Sequence, residues 1–161
     1  MTAAPLVYLD TSVFVSALLG RDEPDYDVSA STLEAGERGE LRIVVSALAV
    51  SEVVGAPVLR APQGVPKSVA LERTAKAMAF FGQSSFTHVD LSRREGLRAA
   101  EISRDFDMKG ADALHLAAAE LAGCERFFSL DRDQLKVADA LSGLIISKPP
   151  GSGQPALNFP D

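Results

Sequence analysis

Leu6-Val7-Tyr8-Leu9-Asp10-Thr11-Ser12-Val13-Phe14 decides the fold class. Residues 6–10 are a short apolar run rich in β-formers, which predicts a buried strand ending on an acid. Thr11 and Ser12 follow as natural N-caps for a helix through about Leu19. A strand that hands over directly to a helix is the unit from which parallel sheets are built.

The same alternation continues along the chain. A polar break, GRDEPD at 20–25, precedes a helix from about Asp25 to Arg38, which Gly39 ends. Leu41–Val45 form a second strand, and Ser46 caps a helix carrying Leu48, Val50, Val53 and Val54 that stops near Gly55 or Pro57. Residues 56–67, with three prolines and a glycine, predict a surface loop. Ser68–Phe81 is helical by period, Phe86–Val89 a short strand, and Ser92 caps a helix to about Phe106. Gly110 precedes the helix ADALHLAAAELAG, closed by Gly123. A strand over Arg126–Leu130, a short helix over Asp133–Ala138 and a strand over Gly143–Ser147 complete the pattern.

Five short apolar strands separated by helices predict an α/β domain, a mostly parallel sheet flanked by helices on both faces, with right-handed crossovers. One domain over 1–147 accounts for the pattern. Residues 148–161 form a Pro/Gly-rich tail in which Leu157 and Phe159 could dock lightly.

Composition narrows the function classes. Aromatics make up 6% of the 161 residues and Trp is absent, so Ala, Val and Leu must carry the core. Cys124 is the one cysteine, which excludes an intramolecular disulfide or a cysteine-rich zinc site and predicts a packing role. No 18-residue apolar stretch and no basic-then-apolar leader is present, so a cytoplasmic protein without membrane association is expected. A formal charge of −6 argues against indiscriminate adhesion to nucleic acid, though a local basic rim could still hold phosphates.

Four acids stand where strands end or helices begin: Asp10, Glu52, Asp112 and Asp131. In open parallel sheets, ligands gather beyond the carboxyl ends of the strands. Carboxylates brought together there raise one another's pKa unless a cation supplies counter-charge, so a divalent metal is the first expectation and phosphodiester hydrolysis the chemistry it serves. Each acid also has an ordinary explanation. Asp10 could be a turn residue, Asp112 a first-turn acid favoured by the helix dipole, and Glu52, inside the apolar ALAVSEVV, the partner of an arginine.

In this order and spacing, LDTSVF, the Ser46-to-Glu52 block, GADALHLAAA and FFSLDRD resemble the signature blocks of PIN-domain ribonucleases. The resemblance runs from about residue 5 to 147 and is greatest for the toxins of VapBC-type toxin–antitoxin modules. It implies a metal-dependent endoribonuclease that leaves a 5′-phosphate and a 3′-hydroxyl. It places Asp10, Glu52, Asp112 and Asp131 at the family's acidic metal-binding positions. Asp10 and Asp112 would be ligands of Mg²⁺ or Mn²⁺, with Glu52 and Asp131 acting directly or through water. Ser129 matches the family's small hydroxyl residue, Thr11 or Ser12 the hydroxyls beside the first acid, and Asp133 is a possible fifth acid or the cap of the helix after it. The implied partners are RNA, a cognate antitoxin and a second copy of the chain, in a homodimer and a toxin–antitoxin hetero-oligomer. The proline-rich 56–67 loop and the tail depart from the compact family pattern.

Lys109 and Arg132 are nominated for RNA contact because each is close in sequence to a site acid. Arg93, Arg94, Arg98 and Arg104 read as a solvated helix face. His115, one turn after Asp112, could face the site, and its ordinary reading is a half-buried structural residue; His88 reads as a surface one. The rival functions are a PIN ribonuclease of RNA maturation, an inactive PIN-like binding module, and a haloacid dehalogenase-like phosphohydrolase. The last usually has a second Asp two residues after the first, where this chain has Ser12, and a Lys before its late acids, where none lies between Lys109 and Asp131.

Overall fold

The apolar run at the N-terminus forms β1 (Leu6–Leu9), and its two faces pack against different layers. Val7 and Leu9 enter a core with Val13, Phe14, Ile43, Val45, Val53 and Phe128, whereas Tyr8 enters one with Val44, Ile102, Leu116 and Phe127. Alternate residues of one strand thus bury opposite faces, as a pleated strand requires. The computed structural model describes residues 3–151.

After β1 come α1 (Thr11–Leu19), α2 (Tyr26–Glu37), β2 (Arg42–Ser46), α3 (Ala47–Gly55), α4 (Pro57–Arg60) and α5 (Lys67–Gln83). The chain continues through β3 (Thr87–Val89), α6 (Arg93–Phe106), α7 (Gly110–Leu121), β4 (Arg126–Phe128), α8 (Arg132–Leu135) and β5 (Ile145–Ser147). The five strands form one sheet in the order β3-β2-β1-β4-β5, every pairing parallel. Tyr8 stands opposite Val44 on one side and Phe127 on the other, and its ring stacks on Phe127 with centroids 5.3 Å apart. Helices α6 and α7 cover the Tyr8 face, while α1, α3 and α5 contribute Phe14, Val53 and Phe81 to the opposite one. This is the predicted α/β/α sandwich.

Local chemistry sets the boundaries. Ser92 and Glu95 form a reciprocal capping box at the start of α6, an arrangement whose cap alone contributes about 1 kcal/mol. Gly123 adopts φ +72 after α7, a left-handed conformation open to glycine, and turns the chain into β4. Gly36 lets α2 lie directly on β2, because a Cβ there would collide with the Ile43 side chain.

Three local expectations are corrected. Thr11 and Ser12 do not cap α1; Asp10 does, its carboxylate accepting from the Ser12 amide. The 56–67 segment is not all loop: Pro57 opens the single turn α4, which drives Leu59 to 2% exposure. Proline is well suited to a first helical position, where its missing N–H costs nothing. The short helix after β4 begins at Arg132 with Asp131 as its cap, not at Asp133, because the Asp131 carboxylate reaches both the Asp133 and Gln134 amides. The tail expected from 148 is described only to 151, and Leu157 and Phe159 lie outside the described residues.

Candidate active site

A parallel sheet brings all its strand C-termini to one edge, and the acids follow from that edge. Asp10 is the first residue beyond β1 and is tied to the neighbouring strand by its amide, which donates to Phe128 O at 3.0 Å. Ser46 ends β2 and caps α3, whose sixth residue is Glu52. Asp112 lies in the first turn of α7, and Asp131 caps α8 beyond β4. Together Asp10, Glu52, Asp112 and Asp131 line one open cavity of about 490 Å³, with Thr11, Ser12 and Gly55 to Pro57 also in its lining. No Lys or Arg is among the described residues that line it.

Each acid has a different hydrogen-bonding state. Asp10 is 4% exposed and held at both oxygens: Oδ2 accepts from the Ser12 amide and hydroxyl at 3.0 and 2.6 Å, and Oδ1 from Gln134 Nε2 at 3.2 Å. Glu52 accepts at Oε2 from Thr11 Oγ1 and from His115 Nε2, each at 2.6 Å. The His115 bond holds its carboxyl below the usual range, burial works the other way, and the Thr11 bond lowers it further. Asp131 Oδ1 accepts from the Asp133 amide at 2.7 Å. The Asp112 carboxylate accepts no hydrogen bond among the described residues. Burial raises its pKa above the usual range, and Asp131 and Asp10 raise it further, against the pull of His115 and Lys109.

The hydroxyl residues bind the loops to one another. Ser12 Oγ donates to Asp10 and accepts from the Leu130 amide at 3.0 Å. Ser129, fully buried, accepts from the Asp131 amide at 2.9 Å and donates to Gln134 Oε1 at 2.6 Å. Asp133 is exposed, pairs with Lys136 at 2.9 Å and does not line the cavity. Lys109 and Arg132 are exposed at the starts of α7 and α8, beside the cavity rather than in it.

Several expectations change here. Glu52 pairs with a histidine rather than an arginine. His115 is not half-buried but 1% exposed, in direct contact with the acids. Gln134, fully buried, bridges Asp10 and Ser129 and was not foreseen, because a glutamine in a charged run ordinarily faces solvent. Its position three residues after Asp131 on a capped helix was the available signal. On α6, Arg98 is engaged by Glu120 and Glu101, and Arg104 by Asp105. His88 is exposed as expected, and burial pushes the Cys124 thiol up to about 12, consistent with a packing role.

Among the described residues, no three His, Cys, Asp or Glu side chains stand close enough to hold a metal as they are. The donor set nevertheless suits a hard cation. It is all oxygen, the Asp112 carboxylate has no donor among the described residues, and its pKa is raised by burial first and then by Asp131 and Asp10, a like-charge repulsion that a divalent ion would relieve.

A family model described as PIN domain matches residues 7–140. No curated protein matches the chain. Among solved structures, a toxin–antitoxin complex from Klebsiella pneumoniae is similar with a TM-score of 0.60 at 19% identity, covering 90% of this chain and 98% of that one. VapC20 of Mycobacterium tuberculosis, described as a toxin that cleaves the sarcin–ricin loop, is similar with a TM-score of 0.62 at 12% identity, covering 86% and 98%. Among the described residues, no helix is long and apolar enough to cross a membrane.

Proposed function

Because the chain belongs to the PIN domain family, we propose that it is a divalent-metal-dependent endoribonuclease acting as the toxin of a toxin–antitoxin pair. The observation that carries this is the convergence of Asp10, Glu52, Asp112 and Asp131, from four separate segments, on one cavity with no basic side chain among the described residues that line it. The similar structures described as toxins support the toxin assignment.

Asp10 and Asp112 would hold Mg²⁺ or Mn²⁺, with Glu52 and Asp131 contributing directly or through water. An ion bound there would supply Lewis acidity toward water and counter-charge for the phosphoryl oxygens. The protein's own part is to fix oxygen atoms. Ser12 and Gln134 hold the Asp10 carboxylate from both sides, so it does not rotate as charge enters the cavity. Glu52 Oε2 and Asp131 Oδ1 are occupied by donors, which leaves Glu52 Oε1 and Asp131 Oδ2 to orient the attacking water. Lys109 and Arg132, beside the cavity, would meet the flanking phosphates. The antitoxin would place a cationic side chain in the same acidic cavity and so exclude the RNA.

Purified protein should cleave RNA with Mg²⁺ or Mn²⁺ and stop in EDTA. Undiminished cleavage in EDTA by a nuclease-free preparation would remove the metal from the mechanism. Expression in a bacterial host should arrest growth, and a co-expressed antitoxin should relieve the arrest. RNA cleavage in vitro without growth arrest at high expression would favour a ribonuclease of RNA maturation instead.

A further inference from the structure

His115 reaches the acid cluster from the core side of the sheet. Its Nε2 is 2.6 Å from Glu52 Oε2, 3.4 Å from Thr11 Oγ1 and 3.8 Å from Asp10 Oδ1. Its Nδ1 is 2.8 Å from the hydroxyl of Tyr8, itself fully buried, and that hydroxyl is 2.7 Å from Ser46 Oγ. An ionised carboxylate only accepts, so the proton on Nε2 points at Glu52. Burial pushes the Tyr8 hydroxyl far above its usual range, which keeps it a neutral phenol. Ser46 in turn accepts from the Ala49 amide as the cap of α3, the helix that carries Glu52. The path closes on itself: from the Glu52 side chain through His115, Tyr8 and Ser46 back to the start of its own helix.

Packing alone does not call for these polar atoms. Leu and Phe would fill the same volumes without burying a ring nitrogen and a hydroxyl, groups that are costly inside a protein unless fully bonded. What the closed path does supply is a fixed direction. It clamps Glu52 Oε2 from the core side while Thr11 clamps it from α1, and Oε1 accepts no hydrogen bond among the described residues. We propose that His115 is the positioning residue for Glu52, and that Tyr8 sets the angle of its ring, so that Oε1 is presented to the cavity in one orientation. This rests on assigning the cavity as a metal-dependent nuclease centre.

A double-mutant cycle on Mn²⁺ affinity, measured by calorimetry without RNA, tests it, alongside kcat and KM on RNA. His115→Leu keeps an apolar filling of similar size and removes the donor. Mn²⁺ affinity and kcat should fall roughly 10–100-fold, as for other residues that orient a ligand, with KM for RNA little changed. His115→Gln, whose amide can donate from the place of Nε2, should recover most of both. In a Glu52→Ala background, which leaves no acceptor for Nε2, His115→Leu should change affinity by less than about twofold, because the interaction it removes is already gone. Tyr8→Phe should give the same pattern at smaller size, and it carries the test should the His115 variants fail to fold. Losses that multiply in the Glu52→Ala background would overturn the proposal. So would a His115→Gln protein that folds but falls as far as His115→Leu, or a wild type that binds no Mn²⁺. A wild type that binds Mn²⁺ and cleaves no RNA would refute the nuclease assignment while the coupling of His115 to Glu52 is still read from affinity.

Discussion

Asp112→Asn should abolish RNA cleavage, by on the order of 10²–10³-fold or more, while the metal-free protein melts no lower than wild type. The two halves have one cause. Asp112 has no hydrogen-bond donor among the described residues, and its pKa is raised by burial and then by Asp131 and Asp10. A carboxyl with a higher pKa in the folded state binds protons more readily there, so stability falls as pH rises through that pKa. At neutral pH the metal-free wild type therefore bears the full repulsion, and the neutral, nearly isosteric Asn bears none. The two proteins should converge below the usual carboxylate range, where the wild-type group is protonated as well. Saturating Mn²⁺ should reverse the order. It stabilises wild type by about 2.7 kcal/mol at a hundredfold excess over its dissociation constant, and the variant by much less. Thermal melts in EDTA and in Mn²⁺ read both effects. A variant destabilised in EDTA, with an undiminished response to metal, would return Asp112 to the role of a helix-dipole acid.

Phe14→Ala should be the most damaging single truncation of the α1 layer, costing about 3–5 kcal/mol. Phe14 is fully buried, and its ring meets Phe81 at 5.1 Å, Phe86 at 5.7 Å and Phe80 at 6.4 Å between centroids. These rings come from α1, from the end of α5 and from the residue just before β3, so no one element can collapse into the space left behind. The loss is a large share of a stability that for such domains is roughly 5–15 kcal/mol. It corresponds to a melting temperature lower by about 6–20 °C for a chain of this size. Leu71→Ala, at a side chain left 60% exposed on α5, should change stability by less than about 0.5 kcal/mol. Denaturant titration of the two variants checks the contrast. Equal losses would mean that the aromatic cluster does not anchor α1.

The sheet and the four acids could be read from the chain because their signals are local. A strand announces itself by a run such as LVYL, and an acid at a strand mouth by the residue that follows it. The partners of those acids could not be read this way. Gln134 bonds Asp10 across 124 positions, and His115 bonds Tyr8 across 107. No window of sequence holds both ends of either bond. His115 lies one turn after Asp112 in ADALHLAAA, which allows it to face the acids, but the same spacing suits an ordinary core residue and names neither Glu52 nor Tyr8 as its partner. The turn α4 was concealed by its own proline, since a proline-rich segment reads as loop until the residues after it are seen to bury Leu59.

The strand order has a consequence for how such a protein comes into being. β1, at the centre of the sheet, is the first strand made, yet one of its two neighbours, β4, begins 120 positions after it. A ribosome emits Asp10 and Glu52 well before the strand that delivers Asp131 and closes the second side of β1, and Asp112 only shortly before it. Pairings so distant along the chain form late and slowly, because loop entropy must be overcome first. The acidic cavity is therefore a property of the finished polypeptide, and a growing chain carries most of its chemistry without the means to assemble it.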